Sequence, residues 1–331
     1  MKRFFFCLLI AFIAIVSQAP VSSFAHPAGD PWTAHYMWRR YHNATSGCSD
    51  NPNAPVYECV GIIIRATNPQ KEGAHPWWPE DKSMPGSGAI SAGGVSFSYL
   101  RDDIVMTRFA YDFVNGFTLY PSGGKYGAPT DKIKLQVLCA FPFDGATDGR
   151  DSQGCGTYGG ARDTAPCETL GITTASAWTD YYLKKAKYYY ETICGYSMEG
   201  NQSKDYFNTL VQIHKDVYRI KNGNLDESVN EIRIKSWGRD LSTSKTLPIE
   251  SFYYAKGSAT GRTNAQNDQL SYYKETGGIF VPVIELTIPK TGSQHFDFHY
   301  NRSDQHPNVQ IPVSPNTDPN PCTLGDFDQK C

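Results

Sequence analysis

The sequence predicts an α+β fold, and three observations carry that prediction. Short runs of strand character recur between residues 60 and 141 and again near the C-terminus, separated by Gly- and Pro-rich turns. Helical patterns gather chiefly in one block, about residues 175–240. Cysteines are spaced through the long loops, so disulfides are expected to pin them.

Residues 1–25 read as a secretory leader: Lys2 and Arg3, an apolar core from Phe4 to Val16, and a small-residue cleavage site at Ser23-Phe24-Ala25. The remaining 306 residues start at His26 and contain no run near the roughly 18 apolar residues of a membrane span. Export to the extracellular space without a membrane anchor is therefore expected. At about 150 residues per domain, that length suits a single domain over 26–304, with the helical insertion at about 175–240 and a Pro- and Asn-rich tail over 305–331. Losing Lys2 and Arg3 leaves 29 basic against 33 acidic side chains, a net charge of −4. A nucleic-acid surface shows a basic excess, so no nucleic-acid partner is expected. Cys7 leaves with the leader, and the even remainder, Cys48, Cys59, Cys139, Cys155, Cys167, Cys194, Cys322 and Cys331, implies up to four disulfides in an exported chain. Spacing leaves the pairing open and favours the local pairs Cys48–Cys59 and Cys322–Cys331. No Cys-x-x-Cys occurs, so a structural zinc site is not expected.

In chain order, PWTAHYMWRRYH (31–42) reads as a short helix, followed by a turn-rich cysteine loop. Val60 to Ile64 is a β-branched apolar run, hence a buried strand. Asn68-Pro69 marks its exit, so Arg65 is delivered rigidly to a strand end. The next loop carries Trp77 and Trp78, which are either core anchors or a stacking surface for a flat ligand. Gly93-Gly94 opens SGGVSFSYL, whose period of two places Ser96 and Ser98 on one face and Val95, Phe97 and Tyr99 on the other. A helix is expected over Arg101–Asp112, then a strand at GFTLYP, then an alternating strand over 132–141 that supplies core. Gly154, Gly156 and Gly159 satisfy Gly-x-Gly-x-x-Gly without the flanking strand and helix of a dinucleotide fingerprint. Helices are expected over 175–193, over 201–220 with His214 on an apolar stripe as a hydrogen-bonded core histidine, and over 224–237, which opens with a capping box at Asn224 and Glu227. LPIESFYY sets Glu250 among Phe252, Tyr253 and Tyr254. GRTNAQNDQLSYYKETGG reads as a loop and short helix, and IFVPVIELTIP as a strand that Pro282 assigns to a sheet edge.

The stretches CVGIIIRATNP, SGGVSFSYL, FVNGFTLYP, GITTASAW, LPIESFYY and NAQNDQLSYYKETGGIFVPV, spread over roughly residues 57–290, together resemble the halovibrin family of secreted bacterial proteins of NAD-glycohydrolase and ADP-ribosyltransferase type. A strand arginine followed by a Ser-x-Ser strand is also similar to the arginine–serine–glutamate class of ADP-ribosyltransferases, although Ser-Phe-Ser here replaces Ser-Thr-Ser. The resemblance implies a mixed or antiparallel β core of ADP-ribosyltransferase type, one catalytic domain, and NAD as substrate with no resident cofactor. It assigns Arg65 and Ser98 to NAD binding and Ser96 to the catalytic group, one of the two hydroxyls orienting the catalytic carboxylate and the other supporting the strand and cleft. The glutamate should follow the serine strand, which leaves Glu168, Glu191, Glu199, Glu227, Glu231, Glu250, Glu275 and Glu285. Glu250 is the candidate, since apolar and aromatic neighbours would desolvate it and strengthen its pull on a ribosyl cation. Glu275 and Glu285 remain open.

That assignment suits the chemistry. Releasing nicotinamide from NAD passes through an oxocarbenium-like state, which needs negative charge at the ribose and cations at the diphosphate. Arginine's planar fork of donors matches phosphate oxygens. Transferases of the resembled class carry Glu or Gln two residues before the catalytic glutamate; here those positions hold Pro248, Tyr273 or Val283. Water is thus favoured as acceptor, with a host protein as the transferase alternative. Two other classes compete: a secreted disulfide-stabilised module that binds a glycan or cell-surface partner without catalysis, and a metal-dependent hydrolase using His295, Asp297 and His299 of HFDFH.

Overall fold

A computed structural model describes residues 32–43, 56–67, 94–109, 112–120, 135, 137–142, 164–185, 193–198, 204–220, 229–235 and 249–312. The leader, Cys48, Trp77 and Trp78, the glycine triplet at 154–159, the capping box at Asn224 and Glu227, and residues 313–331 with Cys322 and Cys331 lie outside that set.

The described chain is a mixed α+β structure. Its helices are α1 (Trp32–His42), α2 (Ala175–Lys185), α3 (Lys204–Ile220) and α4 (Ala259–Glu275). Its strands are β1 (Ile62–Ala66), β2 (Gly94–Leu100), β3 (Asn115–Leu119), β4 (Val137–Phe141), β5 (Thr164–Pro166), β6 (Ile193–Ser197), β7 (Glu231–Lys235), β8 (Ile249–Ala255), β9 (Val283–Thr287) and β10 (Asp297–Tyr300). They hydrogen-bond in the order β10-β9-β8-β3-β1-β2-β7-β4-β6-β5. Seven neighbouring pairs are antiparallel. The other two, β8 with β9 and β5 with β6, are parallel. Parallel neighbours cannot be joined by a tight hairpin, and α4 makes the β8-to-β9 crossover, packing Tyr272 against Phe252. β3, β4 and β8 are buried along their whole length, as strands covered on both faces must be.

Cys167 and Cys194 form a disulfide that ties the end of β5 to β6. Closing a 27-residue separation is worth about 3.5 kcal/mol in the chain-entropy treatment. Cys59 and Cys139 each take part in a disulfide as well. No helix among the described residues is long and apolar enough to cross a membrane.

Several elements differ from the sequence expectation. Residues 101–109 form turns instead of a helix, because Arg101 spends its guanidinium on Asp103, two residues on, and on Asn208 of α3. Of the helix expected over 175–193, residues 175–185 are helical among those described, and Ile193 begins β6 (Ile193–Ser197) instead. Residues 231–235, expected in a helix, are β7, whose backbone finds partners on both sides, in β2 and β4. Residues 259–275 form a 17-residue helix, longer than expected, started by the Ser258 hydroxyl accepting from Gly261 N–H. Pro282 precedes β9, which is flanked by β8 and β10 and so is not an edge strand; its carbonyl still accepts from Phe252 N.

Candidate functional site

β2 changes partner along its length, and the site sits where it does. β1 pairs with β2 only through Ile62↔Leu100, Ile63↔Tyr99 and Ile64↔Ser98, then continues beside β3 as far as Ala66↔Gly116. The first half of β2 pairs with β7, from Gly94↔Lys235 to Phe97↔Ile232. β1 and β2 therefore part beyond Ser98, and Arg65 is the first β1 side chain past the split. Its guanidinium donates from Nη1 to the Ser96 carbonyl and lies 5.8 Å from the Phe97 ring centroid.

The hydroxyl of the same serine meets a carboxylate. Ser96 Oγ donates to Glu231 Oε1 at 2.6 Å, and Arg233 Nη2 approaches that oxygen to 2.5 Å. Ser98 Oγ donates to the Asn230 carbonyl at 3.1 Å. Burial, with the Arg233 charge nearby, pulls the Arg65 pKa down to about 10, against the opposing pull of Glu231, so Arg65 remains a cation at neutral pH. Among the described residues two guanidiniums, Arg65 and Arg233, stand by the Glu231 carboxylate, and guanidiniums of this kind suit the oxygens of an anionic ligand.

Local sequence makes this approach possible. Gly116 stands between β1 and β8, opposite Ala66 and Tyr253. A Cβ there would lie 2.0 Å from the Arg65 carbonyl oxygen and 2.9 Å from the Tyr253 side chain, so no larger residue fits this backbone. Tyr253 is fully buried, its hydroxyl has no hydrogen-bond partner among the described residues, and burial pushes its pKa well up in spite of the Arg65 charge.

The structure thus brings Arg65, Ser96 and Ser98 to one place, and places Glu250 in another. Arg40 Nη2 of α1 donates to both Glu250 oxygens, at 2.7 and 2.6 Å, and both side chains are at most 1 % exposed. Arg40 also donates from Nε to the Gly61 carbonyl. In register, Glu250 follows Ile249, which is opposite Leu119, itself opposite Ile63; this is the Ile62 end of β1, whereas Arg65 is at the other. Burial lifts the Glu250 pKa even though Arg40 opposes the shift.

Of the other glutamates, Glu285 meets the Tyr254 hydroxyl at 3.1 Å and Lys256 at 3.6 Å, and Glu168 and Glu275 are exposed. His295 pairs with Asp102, while His299 pairs with Asp297 at 2.7 Å. Among the described residues no group of three His, Cys, Asp or Glu is arranged to hold a metal ion. His214 is buried on α3.

Glu231 and Arg233 are the site residues that sequence reasoning passed over. The alternation Glu231-Ile232-Arg233-Ile234 is a strand signal, but the capping box upstream outweighed it. The chain matches no protein-family model, and no curated protein matches it.

Proposed function

We propose that this chain is an exported NAD-consuming enzyme that cleaves the nicotinamide–ribose bond, with water as the acceptor, on a core of ADP-ribosyltransferase type. One observation supports the reading: an arginine, a serine and a glutamate, the residue types the resembled class uses, meet on three neighbouring strands, with Ser96 hydrogen-bonded to both Arg65 and Glu231. Arg65 binds the diphosphate, where its fork of donors matches two phosphate oxygens. Glu231 faces the ribose and stabilises positive charge as the C–N bond lengthens. The bond's electron pair leaves with nicotinamide, which becomes neutral; water then adds to the ribosyl carbon and loses a proton. Ser96 and Arg233 fix the Glu231 carboxylate before the substrate arrives, so little reorganisation is needed as charge develops.

Water is favoured over a protein acceptor by the residue two positions before Glu231. It is Val229, a buried apolar side chain that offers an incoming nucleophile no hydrogen bond. The test is nicotinamide release from NAD by the purified mature protein. Glu231→Gln is expected to lower kcat by on the order of 10²- to 10³-fold, and Arg65→Ala to raise KM by about 10- to 100-fold, the size of a lost charge-assisted hydrogen bond. Absence of nicotinamide release by the wild type, with folding verified, would sink the proposal.

A further inference from the structure

The register of β2 and β7 contains a substitution of side chain for backbone. Pairing runs Gly94↔Lys235, Val95↔Ile234, Ser96↔Arg233, Phe97↔Ile232. Continued by two residues, it would set the Tyr99 backbone against the Asn230 backbone. Instead the Asn230 side chain takes that place: Tyr99 N–H donates to Asn230 Oδ1 at 2.8 Å, and Asn230 Nδ2 donates to the Tyr99 carbonyl at 2.8 Å. A carboxamide has the planarity, donor and acceptor of a peptide group, and asparagine alone carries it on a single methylene. The ladder is thereby prolonged beyond Phe97↔Ile232 by a side chain in place of a backbone partner. The Asn230 carbonyl, turned toward β2, accepts from Ser98 Oγ at 3.1 Å.

Glu231 is the next residue. Its backbone is therefore held by three hydrogen bonds to β2 through Asn230, and its carboxylate by a fourth from Ser96. Both serines of the Ser-x-Ser strand serve one segment, Ser96 at the acid and Ser98 at the peptide before it. Asn230 is 1 % exposed and Tyr99 is fully buried, so the two amide bonds between them are screened from water, where an unmade one is costly.

We infer that Asn230 is a positioning residue for the Glu231 carboxylate, acting through the backbone and not by touching substrate; this rests on the proposed role of Glu231. Misplacement of a catalytic group by about 1 Å costs around 10²-fold, and loss of the amide clasp releases Glu231 on that scale.

The test is a double-mutant cycle on nicotinamide release, with Asn230→Ala made in the wild type and in the Glu231→Gln background. In the wild type kcat is expected to fall about 30- to 100-fold with KM for NAD changed by less than about threefold. In Glu231→Gln the same substitution is expected to change kcat by less than about twofold. Equal losses in the two backgrounds, or a loss confined to KM, overturns the inference and leaves the NAD reading standing. If Asn230→Ala does not fold by near-UV circular dichroism, the cycle is run with Ser98→Ala, which removes only the bond to the Asn230 carbonyl; a kcat loss of about three- to tenfold, absent from the Glu231→Gln background, supports the inference, and an additive one overturns it. A folded wild type that releases no nicotinamide overturns both.

Discussion

Glu231 and Glu250 are both buried carboxylates facing an arginine, yet their other neighbours give them different work. Glu250 is closed into the pair with Arg40, which spans α1 and β8 and also holds the Gly61 carbonyl. Glu231 sits instead where two strands separate, with a half-buried serine donating to it. Removing one partner of a buried pair strands the other's charge. Glu250→Ala is accordingly expected to cost about 3–5 kcal/mol, read as a lower urea midpoint at unchanged slope, with nicotinamide release per folded molecule near wild type. A stable but inactive Glu250→Ala would return the chemistry to that residue. Arg65, Ser96 and Ser98 were legible because strand period and a strand exit fix where such side chains stand. The desolvation argument for Glu250 was correct about its environment, since apolar neighbours do bury it, but burial alone does not say which cation or hydroxyl a carboxylate meets.

At the scale of elements, the site depends on close approach among β1, β3 and β8. Gly116 is the narrow point, with the Arg65 carbonyl and the Tyr253 ring both inside the space of a methyl group. Because one obstacle is backbone, the added carbon cannot be met by a rotamer change. Gly116→Ala is therefore expected to cost about 1–3 kcal/mol, seen as a depressed Tm, and to weaken NAD binding by shifting the Arg65 end of β1; an unchanged Tm would contradict that geometry. The elements that sequence reading missed share a cause. β7 follows a capping signal yet pairs with β2 and β4, and the Arg101 guanidinium at the head of residues 101–109 reaches Asn208 of α3; in both, contacts outside the local window outweigh propensity.

Over the whole molecule the abundance of buried tyrosine sets a limit at alkaline pH. Burial raises the pKa of Tyr41, Tyr99, Tyr182 and Tyr253 above the usual phenol value. A group whose folded pKa exceeds its unfolded value contributes stability that is fully present below the unfolded pKa, about 10 for tyrosine, and lost as pH rises toward the folded one. Stability should thus decline steeply above about pH 10. Tyrosinate absorbance should show an early fraction followed by a late step that coincides with loss of near-UV circular dichroism. Ionisation of every tyrosine in a single early step, with the fold intact, would refute this. By itself the sequence determined the α+β class, the rigid delivery of Arg65 and the shared face of Ser96 and Ser98, since each follows from period and branching within a few residues. Only the tertiary structure decided which carboxylate joins them. Ser96 and Glu231 are 135 residues apart and meet through the pairing of β2 with β7, and strand pairing over that distance is set by global packing, which no local pattern encodes.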